Sequence, residues 1–66
     1  MIYLKRLQEE WRDVGMSDAN IAKLIGMDQA ALSRKIKNDD DIKASQLALI
    51  CSEIERPMDM FVKRNR

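Results

Sequence analysis

Gln29, Ala30, Ser33, Arg34 and Lys37 share one side of a short segment with helical periodicity. Together they offer an amide, a methyl group, a hydroxyl, a guanidinium and an ammonium. That set suits the edges of base pairs better than an apolar partner. A glutamine amide can pair with N6 and N7 of adenine, an arginine fork with O6 and N7 of guanine, and an alanine methyl can meet the thymine methyl. Each bidentate pair discriminates against the wrong base by about 1–3 kcal/mol. The expected base contacts are therefore Gln29, Ala30, Ser33 and Arg34, with Ala31 a second methyl and Ser33 also able to reach a phosphate. Lys35, Lys37 and Asn38 are expected on the phosphate backbone. Ser17 and Asn20 join them from the start of the preceding helix, where free amides favour an anion.

Such contacts require a rigid rod presented outward, and the stretch Asp18 to Ile36 supplies the pattern. It reads as two short amphipathic helices joined by a tight turn, a helix-turn-helix. Ala22 lets the second helix approach the first, Gly26 can take the positive φ the turn needs, and Leu32 and Ile36 form one apolar stripe. Ser17 and Asp28 stand as N-caps, with Met16 and Ile21, then Met27 and Leu32, at the spacing of hydrophobic staples. The recognition helix is expected over about residues 28–37. Around this unit, residues 2–14 read as a first helix with Leu4, Leu7, Trp11 and Val14 on its apolar face, stopped by Gly15. Ser45 is expected to cap a fourth helix running to about Ile54, and Pro57 to open a short fifth carrying Met58, Phe61 and Val62. Lys63 to Arg66 form a basic, frayed end. There is no strand or hairpin signal, no internal repeat and no linker.

With Ala22, Gly26 and Leu32 at this spacing, and with the run Leu32-Ser-Arg-Lys-Ile36-Lys-Asn38, the chain resembles the Cro and phage-repressor class of helix-turn-helix proteins. The resemblance implies an all-α, compact five-helix domain spanning residues 1–66, its helix-turn-helix formed by helices 2 and 3. It also implies sequence-specific binding of double-stranded DNA by a small phage or prophage regulator, a repressor, in the cytoplasm of a bacterial host and associated with its nucleoid. Such a protein acts as a weak homodimer on a two-fold symmetric operator, with recognition helices about 34 Å apart. Met58, Met60 and Phe61 are the expected dimer contacts. The length leaves no room for a sensor domain, so regulation would come through concentration and operator competition.

Three places depart from the family pattern. Asp18 stands where members often carry a phosphate-binding glutamine, and an aspartate there repels DNA unless it serves the helix end. Asp39, Asp40 and Asp41 occupy a loop that commonly holds glycine and basic residues near the phosphates, where carboxylates oppose association at low salt. Glu55 and Arg56 replace the usual glycine between the fourth and fifth helices, which demands a costly conformation or a different turn.

Composition narrows the alternatives. Sixty-six residues make one small domain, 45% hydrophobic and 35% charged, with no apolar run near the roughly 20 residues of a membrane span. A chain of this size buries only about 60% of its unfolded surface, so stability is marginal and association would add to it. The amino-terminal residues lack the apolar core of a signal peptide. There is no histidine, and the single cysteine, Cys51, follows Leu47 and Ile50 on an apolar helical stripe. No catalytic residue, metal or cofactor is expected.

The formal net charge of +1 is small for a nucleic-acid binder, but it is unevenly spread. Residues 27–38 carry three positive charges and one negative, residues 39–56 two positive and five negative. The acidic stretch supports a different class of function, a modulator or anti-repressor that docks on a larger repressor protein. An antitoxin is a third possibility.

Overall fold

The computed structural model describes residues 1–63. Four α-helices follow one another: α1 (Leu4–Asp13), α2 (Asp18–Leu24), α3 (Gln29–Lys37) and α4 (Ala44–Ile54), and a single 3-10 turn spans Met58–Phe61. All regular elements among the described residues are helical, apart from one isolated antiparallel bridge between Ile2 and Val62. No helix among them is long and apolar enough to cross a membrane.

The core forms where the apolar stripes of the four helices meet. Leu4, Leu7 and Trp11 from α1, Ile21 and Ala22 from α2, Leu32 and Ile36 from α3, and Leu47, Ile50, Cys51 and Ile54 from α4 are all buried. The sets of α1, α3 and α4 keep the i, i+3, i+4 spacing that places side chains on one helical face, and Ile21 and Ala22 lie side by side on the short α2. Ile2, Ile25, Ile42 and Phe61 complete the core from the connecting segments, while Met16, Met27 and Met60 fill its margins. α3 lies mainly against α2 and also touches α1, so its apolar side is covered and its other side is left to solvent.

All four helices end in the same way. One residue past α4 and two past α1, α2 and α3 the chain turns left-handed, and the next amide reaches back to a carbonyl of the last turn: Met16 to Trp11, Met27 to Ala22, Asp40 to Lys35 and Arg56 to Cys51, at 2.8–3.1 Å. This is the Schellman arrangement, which favours glycine because positive φ crowds a Cβ. Gly15 (φ 85°) and Gly26 (φ 68°) fill two of the four positions. Asp39 (φ 52°) and Glu55 (φ 57°) fill the others, so the missing glycine is met by strain at Glu55 and not by another turn.

Several sequence expectations are corrected. The first helix starts at Leu4 and not at residue 2, because Ile2 and Tyr3 pair with the far end of the described chain: Tyr3 N–H donates to Phe61 O at 2.7 Å and Lys63 N–H to Met1 O at 2.8 Å. Val14 is exposed, since the helix is already ending there and its side chain has rotated off the apolar face. Asp28 stands at the N-cap of α3 but its carboxylate makes no capping bond. α4 begins at Ala44 after Lys43, whose N–H is taken by the Gln46 side chain at 2.8 Å, and Ser45 lies exposed inside the first turn. The fifth helix is only a 3-10 turn, because Pro57 is extended (φ −71°, ψ 144°) and the chain must straighten again at Val62 to reach Ile2. Phe61 is wholly buried, which removes it from any dimer surface and leaves Met58 exposed and Met60 half-buried. The basic end was expected over residues 63–66, and its part beyond Lys63 lies outside the described residues.

Candidate nucleic-acid interface

α3 presents the side chains singled out for base contact on its solvent side. Gln29, Ala30, Ser33, Arg34 and Lys37 are exposed, as is Asn38 at the end of the helix, whereas Leu32 and Ile36 on the opposite side are buried. Ala31 is half-buried between the two faces. No hydrogen bond or ion pair engages the side chains of Gln29, Ser33, Arg34, Lys37 or Asn38 among the described residues, so their donors and acceptors face solvent. The rod behind them is held at both ends: Leu32 N–H donates to Asp28 O at 3.0 Å, and Asn38 and Asp39 N–H donate back to Arg34 O and Ile36 O.

The start of α2 is built differently from a simple phosphate cradle. Ser17 caps the helix, its hydroxyl oxygen accepting from Asn20 N–H at 3.1 Å while its proton goes to Asn20 Oδ1. These two exposed residues therefore hold each other. Asp18 beside them accepts four side-chain hydrogen bonds, more than any other side chain among the described residues. Its carboxylate accepts from Trp11 Nε1 at 2.8 Å, Gln8 Nε2 at 3.0 Å, and Arg12 through Nη2 at 2.7 Å and Nε at 3.3 Å. Burial would push this carboxyl up, but the hydrogen bonds from Arg12, Trp11 and Gln8 outweigh it and hold the group below the usual carboxylate range. Asp18 in turn raises the Arg12 guanidinium, mainly by hydrogen bonding. The aspartate that stood out as a repulsive charge is thus neutralised within the fold and fastens α2 to α1.

The acidic loop after α3 is also internally satisfied. Asp39 Oδ2 pairs with Lys63 Nζ at 3.1 Å and Asp40 Oδ2 with Lys35 Nζ at 3.8 Å. Asp40 Oδ1 accepts Asp41 N–H, and Asp41 Oδ1 accepts Ile2 N–H, each at 2.8 Å. Lys35 further donates to Asp41 O at 3.2 Å, so its ammonium is turned away from the exposed row formed by Gln29, Ser33 and Arg34. Of the cations in α3, Arg34 and Lys37 are the two without an internal partner among the described residues.

Sequence reasoning located the exposed face of α3 but missed the Gln8, Trp11, Arg12 and Asp18 cluster. The only available signal was an aspartate at a helix start six and seven residues after an arginine and a tryptophan, and no local rule connects residues across a helix end. Cys51 is buried, and burial pushes its thiol up, away from the lowered range of reactive cysteines. No group of three or more metal-ligating side chains occurs among the described residues. Compared with known proteins, the chain matches no family model, no curated protein and no solved structure.

Proposed function

We propose that this chain binds double-stranded DNA in a sequence-specific manner, with α2 and α3 acting as a helix-turn-helix and α3 lying in the major groove. The observation that carries this reading is the division of α3: apolar side buried, and Gln29, Ala30, Ser33, Arg34 and Lys37 exposed together without internal partners among the described residues. No described residue competes for those donors and acceptors, so they are free to pair with base edges. Gln29, Ala30, Ser33 and Arg34 read bases, while Lys37, Asn38, Ser17 and Asn20 serve the phosphate backbone and set register. The biological role that fits is a small Cro-type transcriptional regulator, a repressor of phage or prophage kind, working in the host cytoplasm on nucleoid DNA.

The domain measures 34 × 25 × 19 Å. Two copies lying on one face of a duplex, with recognition helices one helical turn or about 34 Å apart, would span that distance only with their long axes along the duplex. A weak homodimer on a two-fold symmetric operator is the arrangement proposed, with the long axis of each copy along the duplex so that the two meet. Docking on a larger repressor through the acidic loop draws less support, because Asp39, Asp40 and Asp41 are each already satisfied inside the chain.

The test is selection of bound sequences from random duplexes, followed by titration of the selected site over a salt series. Arg34→Ala is expected to weaken the selected site by about 1–3 kcal/mol and to relax preference at one base pair, with log K falling linearly in log salt. No selected sequence, a slope near zero, or no loss with Arg34→Ala refutes the reading.

A further inference from the structure

Two lysines, Lys35 and Lys63, are held by the loop between α3 and α4. Lys35 reaches Asp40 Oδ2 and Asp41 O, and Lys63 reaches Asp39 Oδ2 while its ammonium stands 5.1 Å over the Tyr3 ring. The carboxylates are placed by backbone geometry: Asp39 by its left-handed φ of 52°, Asp40 by the bonds of its own N–H to Lys35 O and of its Oδ1 to Asp41 N–H. The loop is tied to both ends of the described chain, through Ile2 N–H on Asp41 and through Lys63, whose N–H is bonded to Met1 O.

We infer that the loop 39–41 is a built-in phosphate substitute that withholds Lys35 and Lys63 from the DNA backbone and so restrains non-specific binding. This rests on the DNA-binding reading above. A lysine that neutralises a phosphate releases a counterion and adds to affinity whatever the sequence, whereas a lysine already neutralised by a carboxylate releases none. Arg34 and Gln29 are untouched by the loop, so base readout keeps its full strength while sequence-independent attraction is trimmed. The small net charge of +1 is then part of the design of the surface, because the acidic loop cancels cations on the side of α3 that does not read bases.

The experiment measures binding of the whole chain to a short duplex of mixed sequence, with the slope of log K against log salt as readout. Asp39→Asn and Asp40→Asn are made together, since asparagine keeps both the left-handed backbone at 39 and an acceptor at 40. A Glu9→Gln and Glu53→Gln pair gives the same change in charge at exposed carboxylates that hold no lysine. The loop variant is expected to steepen the slope by about 0.9 for each released lysine, and to raise affinity at 0.1 M salt by up to about 8-fold per lysine relative to 1 M. Lys35→Met should leave the parent slope unchanged but remove about half of the gain in the loop variant. An unchanged slope in the loop variant, an equal rise in the Glu9 and Glu53 control, or a slope already reduced by Lys35→Met in the parent each overturns the inference alone. A parent with no binding and no salt dependence overturns the DNA-binding reading with it.

Discussion

Replacing Asp18 by alanine tests whether a single carboxylate fastens α2 to α1. The substitution removes the acceptor of four donor contacts, and the costliest consequence falls on Trp11, whose side chain is wholly buried and whose indole N–H has Asp18 as its partner. A buried donor left unsatisfied costs about 1–3 kcal/mol. The bond from the half-buried Gln8 adds about 0.5–1 kcal/mol, and the exposed Arg12 pair adds little because solvent screens it. The sum is about 2–4 kcal/mol. A chain of 66 residues is expected to have only about 3–10 kcal/mol of stability at roughly 0.05–0.15 kcal/mol per residue. Asp18→Ala should therefore lower Tm by about 8–32 °C, at about 4–8 °C per kcal/mol for a domain this small. Asp18→Asn keeps an acceptor for Trp11 and should lose about half as much. Urea unfolding at neutral pH, followed by circular dichroism and by Trp11 fluorescence, measures both. A loss below about 0.5 kcal/mol for Asp18→Ala, or equal losses for the two variants, refutes the assignment of Trp11 as the group left stranded.

Acidity gives a second check on the same carboxylate. Asp18 is held below its unfolded value of about 3.9, so its stabilisation is fully present above about pH 4 and is lost as pH falls through the folded value. The stability difference between the parent and Asp18→Asn should be flat from pH 8 to about pH 5 and shrink at lower pH; a difference that grows on acidification contradicts this. At the helix ends, Glu55→Gly should raise stability by about 0.5–1 kcal/mol by relieving a left-handed residue, less the extra entropy glycine brings to the unfolded chain. Gly26→Ala should do the reverse, costing about 1 kcal/mol, and the cost is backbone strain alone, since a Cβ there meets no atom within 4 Å. Thermal melts of the two variants decide it, and shifts of the same sign would show that the left-handed positions are not what controls these ends.

The elements and the candidate face could be read from local pattern. Apolar residues recurring at three and four positions defined α1, α3 and α4, and they named Leu4, Leu7, Trp11, Leu32, Ile36, Leu47, Ile50 and Ile54 as core. The same periodicity told which side of α3 must be polar, because a helix that buries Leu32 and Ile36 has no freedom over where Gln29, Ser33 and Arg34 go. Ser17 was legible as a cap, since its partner is the amide three residues on. Pairings across the fold were not legible. Asp18 as a bonded anchor depends on how the end of α1 meets the start of α2. The burial of Phe61, the 3-10 turn and the bridge of Ile2 to Val62 depend on the two ends of the described chain meeting. The ion pair of Lys63 with Asp39 joins residues 24 apart. Helical periodicity is a property of neighbours three and four apart and is written directly into residue order. Which charges cancel, and which remain for a ligand, is settled only when distant segments close into contact.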